Sequence, residues 1–149
     1  MKKALIDTGP CIALFDRDDR FHTEIKNFMK NFRGRLITSW AVVTETLHML
    51  DFDHRVQVDF LRWLDRGALE VAGPVKEDLI RIIELTEKYK DRPIDFADAS
   101  LLAIAERKEL TAVISIDSDF QIYRTAQVKP LEMLFLIHHS FLHLLLPCF

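Results

Sequence analysis

Apolar residues along the chain fall into short runs and into longer stripes of helical spacing. The short runs, bounded by Gly, Pro, Asp or Ser, predict strands at residues 2–7, 35–39, 68–73 and 110–117, with a weaker fifth at 126–130. The longer stripes predict helices at residues 11–19, 22–32, 40–50, 54–66, 75–90 and from Asp95 to about Arg107. Strands that alternate with helices favour a three-layer α/β fold, a central, mainly parallel sheet with helices on both faces.

Several residues suit the ends and the buried faces of these helices. Ser39 and Asp53 can cap the helices at 40–50 and 54–66, and Gly67 can end the second of them. The helix at 75–90 has an apolar stripe that we expect to face the core: Val75, Leu79, Ile82, Ile83, Thr86 and Tyr89. Three aromatic residues are also expected in the core rather than as stacking surfaces for bases: Phe15, Phe21 and Trp40.

Carboxylates stand at positions where a fold of this kind binds ligands. Asp7 ends the first predicted strand and Asp117 ends the fourth. Ligand sites in open α/β sheets lie beyond the carboxyl ends of the strands, so these two acids are candidates for one shared site. Asp98 shares a helical face with Leu102 and Ala105, which places its charge on the stripe that faces the core.

Glu45 also has apolar helical neighbours, namely Ala41, Val42 and Met49. A buried carboxylate is costly unless it is paired or binds a metal. The sequence has no set of basic residues at positions that would match these acids one by one. Mg²⁺ or Mn²⁺, which take oxygen ligands, would satisfy the four acids together.

Each acid also has a purely structural interpretation. Asp95 suits the N-cap of its helix, and Asp98 suits the first turn of that helix. Asp7 suits the turn before Thr-Gly-Pro, while Asp117 and Glu45 could be solvated. The functional interpretation therefore depends on the convergence of these acids and not on any one of them.

Length and composition narrow the class of protein without identifying a partner. The chain has 149 residues, 49 % of them hydrophobic and 29 % charged, which is typical of one folded domain. Its net charge of −3 neither indicates nor excludes a nucleic-acid partner. Cys11 and Cys148 form no metal-type pair and favour a reducing compartment. Because Asp7 interrupts the first apolar stretch, we expect no signal peptide and a cytoplasmic protein.

Four stretches carry most of these acids: "LIDTGPCIALFDRDDRFH", "TETLHML", "PIDFADASLLAIAER" and "ISIDSDFQIYR". In this order and spacing the chain resembles PIN-domain proteins of the VapC type, the toxins of bacterial and archaeal toxin–antitoxin pairs. The resemblance covers residues 3 to about 130 and implies a PIN-like domain over residues 1–134. It implies a metal-dependent endoribonuclease that uses Mg²⁺, with Mn²⁺ able to substitute, that forms a homodimer and that a cognate antitoxin neutralises.

The resemblance also assigns roles to particular residues. The acids that it places in the catalytic and metal-binding site are Asp7, Glu45, Asp98 and Asp117. Adjacent residues that could support such a site are Thr8, Asp95, Ser115 and Asp119. Basic residues that could contact phosphates, although such charges are usually just solvated, are Arg17, Arg20, Lys26, Lys30, Arg33 and Arg92.

Two other classes of function remain open. A PIN-like module could bind RNA or protein without catalysis. A phosphoryl-accepting signalling domain could use Asp7 or Asp117, but that class needs paired acids after its first strand and a lysine after its last. Here "IDTGP" has a single acid and "DSDF" has no lysine. Covalent catalysis has no support, since Cys11 has no evident histidine partner and no serine lies in a nucleophile-elbow motif.

Residues 135–149 form an apolar extension that departs from the family pattern. After Glu132 the chain has no Asp, Glu, Lys or Arg, yet this stretch is too short and too rich in histidine to predict a transmembrane helix. His139 and His143 have a metal-type spacing without an evident third ligand. We expect the extension to pack against a partner chain or against the domain itself.

Overall fold

A computed structural model of the protein describes residues 1–73 and 75–135. Its strands are β1 (Lys2–Ile6), β2 (Gly34–Ser39), β3 (Glu70–Ala72), β4 (Ala112–Ile114) and β5 (Glu132–Met133). They pair in parallel in the order β3-β2-β1-β4-β5. The predicted parallel sheet is therefore confirmed.

Six helices connect these strands in the described residues. They are α1 (Thr8–Phe15), α2 (His22–Asn31), α3 (Trp40–Met49), α4 (His54–Asp65), α5 (Lys76–Lys88) and α6 (Phe96–Arg107). A short 3-10 helix, Ser118–Gln121, follows β4. Both predicted N-caps are confirmed. Ser39 accepts a hydrogen bond from the Val42 nitrogen at 3.2 Å at the start of α3, and Asp53 accepts one from the Arg55 nitrogen at 2.9 Å at the start of α4. Gly67 adopts a φ of +77° directly after α4, where a side chain would be strained.

The order of the strands determines where a ligand can bind. The chain passes outward from β1 through β2 to β3 and then returns to the other side of β1 with β4 and β5. Leu5 of β1 consequently lies between Ile37 of β2 and Val113 of β4. The connections diverge between β1 and β4, so a crevice opens there beyond the carboxyl ends of the strands.

The sheet has a hydrophobic cluster on each face. Leu5 and Ile6 belong to different clusters, because successive side chains of a strand point to opposite faces. Leu5 packs in the cluster that includes Leu101 of α6, and Ile6 packs in the cluster that includes Phe60 of α4. Helices therefore cover both faces of the sheet, as the three-layer prediction requires.

The buried face of α5 differs from the predicted stripe. Ile82 is buried as expected, but Leu79 and Ile83 are 54 % and 52 % exposed. Asp78 is buried instead, since its carboxylate accepts two hydrogen bonds from Arg107 of α6, at 2.9 and 3.0 Å. This ion pair joins α5 to α6 on the buried side of α5, and part of the predicted apolar stripe faces solvent.

Two other expectations are wrong in detail. Trp40 is not a core residue, because it is 55 % exposed at the start of α3. The fifth strand begins at Glu132 rather than within 126–130. Its pairing with β4 explains the shift, since the Glu132 nitrogen donates to Thr111 O at 2.7 Å and the Leu134 nitrogen donates to Val113 O at 2.9 Å.

Most of the apolar extension lies outside the described residues, and with it lie His139 and His143. Its first residue, Phe135, is buried and packs edge-on against Phe28 of α2 at 5.6 Å between ring centroids. Within residues 1–73 and 75–135, every helix is too short or too polar to cross a membrane.

Candidate functional site

A cavity of about 390 Å³ opens at the carboxyl ends of β1 and β4. The four predicted site acids all line it: Asp7, Glu45, Asp98 and Asp117. Asp7 follows β1, Asp117 lies in the segment that follows β4, and the other two come from α3 and α6. The fold thus brings together acids that are up to 110 positions apart in the sequence.

Asp7 is buried and held by hydrogen bonds to both carboxylate oxygens. Oδ1 accepts from the Thr8 nitrogen at 2.7 Å, and Oδ2 accepts from the Ser115 hydroxyl at 2.9 Å. Burial nevertheless raises the pKa of Asp7 from its ordinary value to about 6, because these hydrogen bonds offset the loss of hydration only in part.

Asp98 is the most strongly perturbed acid of the site. It lies in the first turn of α6 and is only 7 % exposed. Burial, followed by the negative charges of Asp7 and Asp95, raises the pKa of Asp98 to about 9. In the described part of the chain, no lysine, arginine or histidine forms a salt bridge with it. Its carboxylate therefore lacks a positive partner.

Glu45 and Asp117 lie at the solvent side of the cavity. The apolar setting expected for Glu45 is wrong, because Glu45 is exposed and its helical neighbour Met49 is 53 % exposed. The pKa of Glu45 is still raised, first by partial burial and then by the charge of Asp95. Partial burial also raises the pKa of Asp117. These two acids can reach a ligand without leaving water.

Asp95 and Asp119 have mainly local roles in the structure. Asp95 is exposed and caps α6, since its Oδ1 accepts from the Asp98 nitrogen at 2.7 Å. Asp119 forms an ion pair with Arg92 at 3.0 Å. Of the two acids after β4, Asp117 lines the cavity, while Asp119 supports it by donating its backbone nitrogen to Asp117 Oδ1 at 2.9 Å.

The two predicted hydroxyl residues differ in their partners. Ser115 is fully buried and connects two of the acids, because its Oγ donates to Asp7 Oδ2 and accepts from the Asp117 nitrogen at 3.1 Å. Thr8 lines the cavity close to Glu45, where its side chain acts to lower the pKa of that acid, but its buried Oγ1 makes no hydrogen bond of standard geometry within the described residues. A buried hydroxyl without a partner is unusual and suits a ligand or a bound water.

The donor set of the cavity fits a hard divalent cation. In residues 1–73 and 75–135, no three His, Cys, Asp or Glu side chains approach closely enough to enclose a metal by themselves. Mg²⁺ does not require such a cage, since it usually keeps several waters and binds through one or two carboxylates. The buried Asp98 carboxyl, which has no positive partner among the described residues, and the Thr8 hydroxyl beside Glu45 are the groups that a hydrated cation would satisfy.

Sequence reasoning did not assign to the site three further residues that line the cavity: Asp19, Arg20 and Phe21. They lie in the turn between α1 and α2. Phe21 was expected only as a core residue, and Arg20 was one of six basic residues named as possible phosphate contacts. No local pattern marks them, because their position depends on how this turn folds back over the end of β1.

Comparisons with known proteins agree with this architecture. The family model described as "PIN domain" matches residues 4–126. Ribonuclease VapC26 of Mycobacterium tuberculosis is 28 % identical over 117 residues, which cover 76 % of this chain and 85 % of that protein.

Solved structures have the same fold at lower identity. M. tuberculosis VapC20, a toxin that cleaves the sarcin-ricin loop, superposes with a TM-score of 0.75 at 22 % identity, covering 85 % of this chain and 99 % of that one. A toxin–antitoxin complex from Klebsiella pneumoniae gives a TM-score of 0.60 at 22 % identity, covering 78 % and 89 %. The predicted PIN-like fold is confirmed by these similarities.

Proposed function

The chain belongs to the PIN-domain family, and on that premise we propose that it is an endoribonuclease, the toxin of a toxin–antitoxin pair. The sequence similarity to ribonuclease VapC26 supports the reaction, which is hydrolysis of RNA phosphodiester bonds. A toxin role is supported by the fold shared with VapC20 and with a chain of the Klebsiella toxin–antitoxin complex.

One observation carries the proposal. Asp98 is a buried carboxylate in a cavity of other carboxylates, and no basic side chain of the described chain neutralises it. Such an arrangement costs stability, which is unexpected in a purely structural feature. Perturbed acids in a cleft at the switch point of an α/β sheet are instead typical of a reactive site.

We assign the metal site to the four acids named from the sequence: Asp7, Glu45, Asp98 and Asp117. Mg²⁺, or Mn²⁺ in its place, would lower the pKa of a bound water and stabilise charge on the phosphate oxygens. Asp7 and Asp98 are the buried members, and their fixed surroundings would keep their oxygens in place. Glu45 and Asp117, which face solvent, would hold and orient the attacking water.

Ser115 positions this set of acids. Its hydroxyl proton is donated to Asp7 Oδ2, which leaves the lone pairs of that hydroxyl for the Asp117 nitrogen. A single side chain thereby fixes the relative position of the acids that follow β1 and β4. The capped N-terminus of α6 holds Asp98 in the same way, through Asp95.

The test is cleavage of RNA by the purified protein. We expect wild type with Mg²⁺ to cut RNA, EDTA to abolish cutting, and renewed Mg²⁺ or Mn²⁺ to restore it. Sequencing of the new RNA ends would identify the substrate and the cleavage site. Cleavage that persists in excess EDTA would contradict the metal mechanism, and binding of RNA without cleavage would favour the non-catalytic module.

An antitoxin protein is the partner that this function requires. The Klebsiella relative, which has the same fold, was solved as a toxin–antitoxin complex. Co-expression with the neighbouring open reading frame tests this partner: rescue of growth together with co-purification is the expected result.

We also propose a homodimer, in which a second copy of this chain covers the exposed face of α5. Three apolar side chains project from that face: Leu79, Ile80 and Ile83. An apolar cavity of about 190 Å³ lies beside Ile82 of the same helix, with Trp40 and Phe96 in its wall. In a two-fold dimer the same surface of both copies is in contact, so the apolar side chains of one copy can pack into the cavity of the other.

A further inference from the structure

Arg20 is the basic residue in the wall of the acidic cavity. Within the described chain, the charged residues that line this cavity are otherwise all acids: Asp7, Asp19, Glu45, Asp95, Asp98 and Asp117. A polyanion that approaches such a wall is repelled unless a cation is present. Arg20 is therefore placed where the charge of a phosphodiester needs compensation.

The turn that carries Arg20 is held by a set of short hydrogen bonds. Asp19 Oδ1 accepts from the Phe21 nitrogen at 2.8 Å, and Asp19 O accepts from the His22 nitrogen at 3.0 Å. The His22 ring nitrogen Nδ1 lies 2.7 Å from Ala13 O, which ties the turn back to α1. The position of the Arg20 backbone is thus fixed relative to the end of β1.

The guanidinium of Arg20 lies over an aromatic ring rather than against an acid. Its Cζ is 4.7 Å from the centroid of the Phe21 ring. Among residues 1–73 and 75–135, no acid forms a salt bridge with Arg20, although several line the same cavity. This contact with the Phe21 ring holds the guanidinium in place without using its N–H donors. These donors remain available for a ligand with two oxygens.

We propose that Arg20, stacked on Phe21, binds a phosphate of the RNA strand at the mouth of the acidic cavity. This inference rests on the proposed function, because it concerns the substrate of the same site. A guanidinium can donate to two phosphate oxygens at once, which fixes the strand as well as attracting it. Arg20 is thus a substrate-binding residue that affects KM more than kcat.

The test is RNA binding without metal, so that it does not depend on cleavage. The probe is a fluorescein-labelled single-stranded RNA of mixed sequence, and anisotropy in EDTA gives Kd at several salt concentrations. We expect Arg20→Gln to weaken binding about tenfold and to reduce the salt slope by about one. Arg20→Lys keeps the charge but not the paired donors, and it should bind with intermediate affinity.

Arg62→Gln is the matched control. Arg62 is exposed on α4 and does not line the acidic cavity, so this substitution changes the net charge equally. We expect its Kd to stay within about twofold of wild type. Equal losses in Arg62→Gln and Arg20→Gln, no loss in Arg20→Gln, or no binding by wild type in EDTA would each overturn the proposal.

Steady-state kinetics with Mg²⁺ separate this inference from the proposed function. If wild type cleaves RNA and Arg20→Gln has an unchanged KM, the role of Arg20 is refuted while the nuclease function stands. If wild type binds RNA through Arg20 but does not cleave it, the nuclease function fails instead. Equal melting temperatures of wild type and both glutamine variants would confirm that folding is unaffected.

Discussion

Asp95 caps the helix that presents Asp98, with Asp95 Oδ1 accepting a hydrogen bond from the Asp98 nitrogen at 2.7 Å. Both acids line the acidic cavity, but the capping acid is exposed, whereas the capped acid is only 7 % exposed. Two acids within one helical turn therefore have different tasks. Asp95 satisfies the backbone of α6, and Asp98 directs an unpaired carboxylate at the site.

This difference predicts opposite outcomes for two similar substitutions. Asp98→Asn should lose nearly all RNA cleavage, at least about 100-fold in kcat/KM, because the metal loses a charged ligand. Asp95→Asn should keep measurable activity, since asparagine is also a good N-cap. Cleavage rates at saturating Mg²⁺ check this. If Asp98→Asn is active and Asp95→Asn is inactive, the metal ligand is Asp95 and not Asp98.

The raised pKa of Asp98 predicts how stability depends on pH in metal-free buffer. Its pKa is about 9 in the folded protein against an ordinary value of 3.8, so the folded state binds the proton more tightly. The free energy of unfolding should therefore fall as pH rises between these two values. Asp7, whose pKa is also raised, acts in the same direction up to about pH 6.

Asp98→Asn should remove most of that pH dependence. At pH 8 without metal it should be more stable than wild type by about 1–2 kcal/mol, because the wild type must take up a proton at Asp98 or bury its charge among like charges, whereas asparagine does neither. Denaturant unfolding at several pH values measures the effect. A wild-type stability that is flat between pH 5 and 9 would contradict the assigned direction.

Metal binding should reverse this order of stability. A ligand that binds only the folded state raises its melting temperature, so Mn²⁺ should stabilise wild type by several degrees. Asp98→Asn should gain much less, and Asp95→Asn should respond almost as wild type does. Thermal melts with and without Mn²⁺ supply the measurement. If Mn²⁺ raises the melting temperature of wild type and Asp98→Asn equally, Asp98 is not a metal ligand.

Ser115→Ala separates positioning of the acids from general stability. It removes the hydroxyl that donates to Asp7 Oδ2 and accepts from the Asp117 nitrogen, and we expect a loss of about 1–2 kcal/mol in stability. Activity should fall about tenfold or more through misplacement of the acids.

Ser100→Ala is the control for that substitution. Ser100 is also buried, and its hydroxyl donates to Ser39 Oγ at 2.8 Å, away from the acidic cavity. It should lose comparable stability and keep its activity. Equal activity losses in the two variants would show that Ser115 acts only through folding.

The proposed dimer surface predicts the effect of a charge on α5. Ile83→Lys should convert the dimer to a monomer, because burying a lysine against an apolar surface is costly. Leu61→Lys is the matched control, since Leu61 is 44 % exposed on α4, outside that surface. Light scattering gives the mass of each variant. If Ile83→Lys is still a dimer, the interface does not include this face of α5.

Local patterns in the sequence were sufficient to predict the elements and to pick out four acids that the fold brings to one cavity. Strand runs and helical stripes depend on neighbouring residues alone, and so do the caps at Ser39 and Asp53. Asp7 and Asp117 were identified because parallel strands end at one edge of a sheet. Asp98 was identified because helical spacing groups it with Leu102 and Ala105.

Features that depend on distant contacts were decided only by the tertiary structure. The place of β5 follows from its hydrogen bonds to β4, and the burial of Asp78 on α5 accompanies its ion pair with Arg107 of α6. Asp119 is occupied by Arg92, which lies 27 positions earlier in the chain.

The same limit applies to the wall of the cavity. The exposure of Glu45 and the position of Arg20 depend on which segments the fold brings over the sheet edge. Periodicity reports which side of an element is apolar, whereas the partner of a charged side chain depends on packing between elements far apart in sequence. The sequence by itself therefore determined the elements and the acids, and the tertiary structure decided which charges are paired and which face the cavity.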